Sequence, residues 1–294
     1  MQTRVDQLSS QFSVAGVRFA EGNGGLVKVI VHTDRCDGEI YLHGAHITHF
    51  QPCGKSPVLW MSQESVFAEG KAIRGGVPIC FPWFGPNASD PSAPGHGYAR
   101  IRTWKLIAAE NNEDGDVLLT LRNTIDDFEL TYTVTFGRSL GMSLAVKLSD
   151  QANATTSFEE ALHTYLAVKD VHQVVIEGLE SAAYIDKVDG MREKPATDES
   201  IQFNGECDRV YLDTTSTCIL RDPAMARSIQ VSKSNSQCTV VWNPWISKSA
   251  AMPDFGNDEW TSMACIETAN VGSYSRTLKP GESHVMTADV SIIP

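Results

Sequence analysis

Phe128-Glu129-Leu130-Thr131-Tyr132-Thr133-Val134-Thr135-Phe136 alternates apolar and polar side chains without a break. An extended strand sends successive side chains to opposite faces, so this pattern buries one face and wets the other. Residues 103–109, 117–123 and 142–148 carry the same texture on either side. The links between them, Asn111-Asn112-Glu113-Asp114-Gly115, Thr124-Ile125-Asp126-Asp127 and Gly137-Arg138-Ser139-Leu140-Gly141, are rich in turn residues. Links this short cannot carry a parallel crossover, so the four strands form an antiparallel meander.

Upstream of the meander, residues 14–20, 26–32 and 40–50 read as strands, separated by turns at 21–25 and 34–38. Ser62 stands as an N-cap before a short helix predicted over 62–69. Downstream, residues 156–168 form one long extended stretch. Further strands are predicted at 173–177, 184–186, 210–212, 217–221, 228–232, 239–242, 263–268 and 284–290. No Pro/Gly/Ser linker divides the chain, and helical periodicity never persists beyond about two turns. About fifteen to eighteen strands in an unbroken series predict an all-β fold. The expected architecture is a large antiparallel two-sheet sandwich with few short helices, one domain over residues 1–294.

With 42% apolar and 20% charged residues, the chain suits a soluble globular protein with a sizeable core. No apolar run approaches the ~18 residues of a membrane span. The first ten residues are polar and form no secretory signal, so residence in the cytosol is expected. Lys and Arg number 24 against 36 Asp and Glu, a net charge of −12 that provides no footprint for nucleic acid or an anionic membrane. Seven cysteines lie scattered without a CxxC pair, which argues against a disulfide framework and against a zinc site.

Against this regular background, residues 72–86 stand out: Ala-Ile-Arg-Gly-Gly-Val-Pro-Ile-Cys-Phe-Pro-Trp-Phe-Gly-Pro. Its glycines and prolines rule out a helix interior and make a poor central strand. Its apolar and aromatic content is wrong for a solvated loop. A packed, irregular segment lining a cavity reconciles the two, with Gly75 and Gly76 allowing close backbone approach and Arg74 at the entrance. His96-Gly97-Tyr98-Ala99-Arg100 follows, with a second arginine and a histidine. A rigid structural loop, with Arg74 capping a carbonyl or paired with a carboxylate, is the plainer alternative.

Two strands carry candidates for proton transfer. In Ala161-Leu162-His163-Thr164-Tyr165-Leu166-Ala167-Val168, alternation puts His163, Tyr165 and Ala167 on one face. His163 is either a satisfied core histidine or a functional one. In Met263-Ala264-Cys265-Ile266-Glu267-Thr268, Glu267 ends an apolar run, and burial would raise its pKa toward general-base duty. A structural Glu bridged to an arginine or to backbone amides is the alternative. Asp208 is a turn residue or a ligand, and Trp242 and Trp245 flank Pro244 either as a sugar-stacking platform or as a sandwich edge. His43 and His49 should face away from His46, which counts against a metal set there. No dinucleotide fingerprint, P-loop or nucleophile elbow is present, so neither cofactor nor metal is expected.

Taken together, the 72–86 and 96–100 segments resemble the D-hexose-6-phosphate mutarotases, also called glucose-6-phosphate 1-epimerases, of the galactose-mutarotase-like superfamily. Ala161–Tyr165, Asp208–Tyr211, Trp242–Trp245 and Cys265–Glu267 match in the same order, and the likeness runs from about residue 26 to 290. The resemblance implies a single-domain β supersandwich that interconverts the α and β anomers of hexose 6-phosphates. It implies His163 as general acid and Glu267 as general base, flanking a pyranose from opposite sides. It also implies Arg74 and Arg100 on the substrate, chiefly its phosphate, Asp208 on a sugar hydroxyl and His96 in support. Some relatives carry a glutamine contact where this chain has Gly95. The expected partner is a small-molecule substrate, a hexose 6-phosphate, and the protein is expected to be a monomer. An aldose 1-epimerase for unphosphorylated sugars and a non-catalytic carbohydrate-binding protein are the rival readings.

Overall fold

A computed structural model describes residues 3–293. The meander is present as predicted: Lys105–Asn111, Val117–Ile125, Phe128–Phe136 and Leu140–Leu148 pair antiparallel in sequence order. Along Phe128–Phe136 every second residue from Phe128 is buried, as the alternation requires. These strands complete an eight-stranded sheet with Ser283–Ile293, Arg227–Ser234, Cys218–Asp222 and Val175–Glu177. Ser283–Ile293 runs through the middle of it, paired with Leu140–Leu148 on one side and Arg227–Ser234 on the other.

A second eight-stranded sheet is assembled from short strands spread along the chain. Its order is Arg192–Lys194, Tyr184–Asp186, Cys207–Tyr211, Cys238–Asn243, Met263–Asn270, Glu160–Leu162 and Ile79–Cys80, with Tyr165–Ala167 also paired to Met263–Asn270. A four-stranded sheet (Val17–Glu21, Val27–His32, Cys36–Tyr41, His46–Pro52) and a two-stranded one (Thr156–Phe158 with Arg276–Leu278) bring the described strands to 22. One large apolar cluster joins both main sheets, including Trp104, Tyr132, Phe136, Phe50, Ile79 and Leu166.

Several local expectations are corrected. Residues 62–69 form no helix. The Glu259 carboxylate takes the Ser62 hydroxyl (2.7 Å) and the Gln63 amide (2.8 Å), and Ser65 Oγ accepts from the Arg74 amide, so these groups serve tertiary contacts instead of a helical turn. The stretch 40–50 breaks at Gly44 and Ala45, both at positive φ, where Gly44 N–H donates to the Arg102 carbonyl at 2.7 Å. The predicted turn at 34–38 already belongs in part to the strand Cys36–Tyr41. The stretch 156–168 is three short strands, with a break at His163 and Thr164. Two helices went unforeseen: Arg4–Gln11, with a Thr3/Asp6 capping box, and Trp245–Ala251 directly after Pro244.

Candidate active site

The 72–86 segment does pack as an irregular wall. Ile79–Cys80 is an edge strand on Glu160–Leu162, and the amides of His163 and Tyr165 donate to the carbonyls of Pro78 and Gly76. Gly76 has φ +60°, and a Cβ there would lie 2.0 Å from the Ile47 carbonyl oxygen. Gly97 has φ +75°, with Phe81 O at the same distance from a notional Cβ. Only glycine permits both approaches.

Sheet register then places the functional groups. Asp208, Trp242, Cys265 and Tyr165 are direct partners across four neighbouring strands and so share a face. Glu267, two residues beyond Cys265, joins them. The His163 ring stacks on Tyr165 at 4.7 Å between centroids, which holds it on the same side. All six residues expected from the sequence (Arg74, His96, Arg100, His163, Asp208 and Glu267) line one open cavity of about 240 Å³. That volume suits a single sugar ring better than an oligosaccharide. A larger groove of about 730 Å³ beside Lys28, Glu39 and Tyr41 lacks this chemistry, and its Lys28–Glu39 pair is already closed at 2.8 Å.

His163 Nε2 and Glu267 Oε1 are 3.3 Å apart. The two do not face each other across a ring-sized gap, as expected, but touch on one wall. Burial, then the neighbouring Asp208, holds the Glu267 carboxyl well above its usual range. Burial, reinforced by His96, Arg74 and Arg100, drives the His163 pKa well down. The pair therefore favours its uncharged form, sharing one mobile proton. Glu267 Oε2 is buried without a partner.

The remaining groups divide by charge pairing. Arg74 donates from Nε and Nη2 to the two oxygens of Asp254, each at 3.2 Å, and from Nη1 to Tyr165 Oη at 3.0 Å. Lys187 meets Asp208 at 3.0 Å, while Lys248 reaches Glu206 at 3.0 Å and Asp208 at 3.6 Å. Arg100 alone among the described lining cations has no carboxylate partner. Its Nη2 donates to the Gly95 carbonyl at 2.6 Å and its Nε is buried unpaired. Position 95 thus contributes backbone to the site, by way of Arg100. His96 Nδ1 accepts from the Gly85 amide at 3.2 Å, which leaves Nε2 carrying the hydrogen as a donor. Burial, with Arg100, Lys187 and Arg74 nearby, lowers the His96 pKa well below its ordinary value.

Lys187, Lys248, Asp254 and Tyr165 were not expected here. Lys187 sits in a turn with no motif. The helix that carries Lys248 could have been read from Pro244 preceding Trp-Ile-Ser-Lys-Ser-Ala-Ala, since proline favours helix starts. Trp242 lines the cavity, whereas Trp245 packs against Trp260 (4.3 Å) and His172 (5.1 Å). His43 and His46 bond the carbonyls of Lys71 and Gly75. The donors of His163, Cys265 and Glu267 do converge within 4.8 Å, although burial and Glu267 keep the Cys265 thiol well above its usual pKa, which opposes the thiolate a metal needs.

Comparison with known proteins places the chain in a family. The aldose 1-epimerase family profile matches residues 28–291. A protein of Cenchrus ciliaris is 34% identical over 286 residues, covering 92% of this chain and 86% of its own length. One of Escherichia coli K12 is 33% identical over 262 residues, with 87% of each chain covered. Both bear the name "Putative glucose-6-phosphate 1-epimerase". A Salmonella typhimurium crystal structure described as a "putative mutarotase" superposes with a TM-score of 0.86 at 28% identity, over 94% of this chain and 93% of that one. Fold and site together define a galactose-mutarotase-like β supersandwich whose pocket is built around a buried histidine and carboxylate. Within that class, the chain belongs to the aldose 1-epimerase family.

Proposed function

We propose that this chain interconverts the α and β anomers of D-glucose 6-phosphate, and of other hexose 6-phosphates, with His163 as general acid and Glu267 as general base. The observation that carries the reading is the 3.3 Å contact between them. Mutarotation removes a proton from the anomeric hydroxyl and delivers one to the ring oxygen. Both oxygens are bonded to C1, so an acid and a base that are close neighbours on one wall can serve them together. In the productive complex the shared proton passes from Glu267 to His163, leaving the Glu267 carboxylate to accept from the hydroxyl. The ring opens, the aldehyde turns about C1–C2, and closure on the other face reverses both transfers.

Asp208 serves a sugar hydroxyl, and His96 Nε2–H supplies a further donor. Arg100, buried and without a counter-charge, is the principal phosphate anchor, and Arg74 assists with the hydrogens left free by Asp254 and Tyr165. The names of the relatives support the phosphorylated substrate. The chain works as a monomeric single domain in the cytosol. No described helix is long and apolar enough to cross a membrane.

NMR exchange on equilibrated sugars tests the reading, comparing glucose 6-phosphate with glucose. Acceleration confined to the phosphorylated sugar is expected. Arg100→Met should then raise KM for it roughly 10–100-fold, the worth of a charge-assisted contact. An aldose 1-epimerase for free sugars would instead act equally on glucose and ignore Arg100. Saturable binding with no acceleration would identify a carbohydrate-binding module.

A further inference from the structure

Four cations line a pocket on a chain of net charge −12, yet three of them already face carboxylates. Arg74 is the most fully engaged. Asp254 takes two parallel hydrogen bonds from its guanidinium edge, the geometry in which arginine also grips a phosphate. Asp254 and Arg74 are each about one-fifth exposed, so the pair is not sealed in the core, and of the two Arg74 lines the cavity. Asp254 also stands two residues beyond Met252, a lining residue, on the segment that leaves the Trp245–Ala251 helix. Tyr165 holds Arg74 independently through Nη1.

We propose that Asp254 is a specificity-determining residue, an internal anion that occupies the Arg74 fork and weakens the pocket's hold on a phosphate group. The inference rests on the hexose 6-phosphate reading given above. Substrate and product of an anomerisation carry the same phosphate, so a pocket with two free guanidinium groups would retain both. Neutralising one of them leaves Arg100 to recognise the phosphate while keeping release fast. Asp254 is therefore a competitor for the anion, beyond any part it plays in orienting Arg74.

The test is Asp254→Asn, which keeps the shape and one acceptor while removing the charge. Inorganic phosphate is the probe, measured by calorimetry and as a competitive inhibitor. Binding of phosphate should tighten about tenfold, the scale expected from removing one charge beside a dianion at a partly exposed site. KM for glucose 6-phosphate should fall in parallel, with kcat unchanged or lower. Asp254→Glu should keep the wild-type phosphate affinity, and Asp254→Ser should reproduce the tightening if the Asn variant is poorly folded. Unchanged or weaker phosphate binding in the folded Asn and Ser variants would overturn the inference and reduce Asp254 to an orienting group. If the wild type fails to accelerate hexose 6-phosphate anomerisation, the functional reading falls; tighter phosphate binding by Asp254→Asn would still establish the competition at Arg74.

Discussion

His163 Nε2 lies 3.3 Å from Glu267 Oε1, and the surroundings of both disfavour charge. The proton shared by the two therefore rests on Glu267, and its passage to His163 belongs to the substrate complex. Each proton transfer is worth roughly 10²–10⁴-fold in rate. Glu267→Gln and His163→Ala should each lower kcat within that range while phosphate binding persists. Full exchange rate in either variant, measured by NMR, would show that the pair is not the proton-transfer machinery.

The raised pKa of Glu267 also bears on stability. Its ordinary value is 4.5, and the folded value lies well above it. The advantage of the protonated form is complete below the unfolded value and is lost as pH rises through the folded one. The wild type should therefore lose stability relative to Glu267→Gln as pH climbs above about 4.5. Thermal melts of both proteins across the pH range check this. A gap that widens toward acid instead would contradict the assignment.

Lys187, at 3.0 Å from Asp208, counters the charge that raises Glu267. Lys187→Met should push the Glu267 pKa higher and move the acid limb of the kcat/KM profile to higher pH. Lys187→Arg should restore the limb, and Asp208→Asn should shift it the other way. An unmoved limb in the Met variant would place Lys187 outside the electrostatics of the base.

Gly76 is fixed by both conformation and space: φ is +60° and a notional Cβ lies 2.0 Å from the Ile47 carbonyl. Gly76→Ala should cost roughly 2–5 kcal/mol from backbone strain and overpacking. Denaturant titration measures it, and a change below about 1 kcal/mol would mean that the wall yields.

The meander was legible because Phe128–Phe136 needs only local alternation to declare its faces. His163 was harder. Its strand breaks at the residue itself, and its orientation comes from stacking on Tyr165 and from the Pro78 carbonyl, both supplied by tertiary packing. Local texture and resemblance to a family are enough to single out His163, Glu267, Arg74 and Arg100 as candidates, and the structure brings these four to one cavity. Lys187, Lys248 and Asp254 carry no such signal, since surface-type residues in turns and a short helix join the candidate site only once the fold brings Asp208 and Arg74 beside them. The false helix at 62–69 has the same root, because Glu259 claims Ser62 from almost two hundred positions away.

The strand Ser283–Ile293 lies inside its sheet with neighbours on both flanks. During synthesis, the seam it fills stays open until the ribosome has released that segment, leaving two unsatisfied ladders exposed to other nascent chains. Premature termination before residue 283 should thus yield aggregates instead of a truncated catalyst.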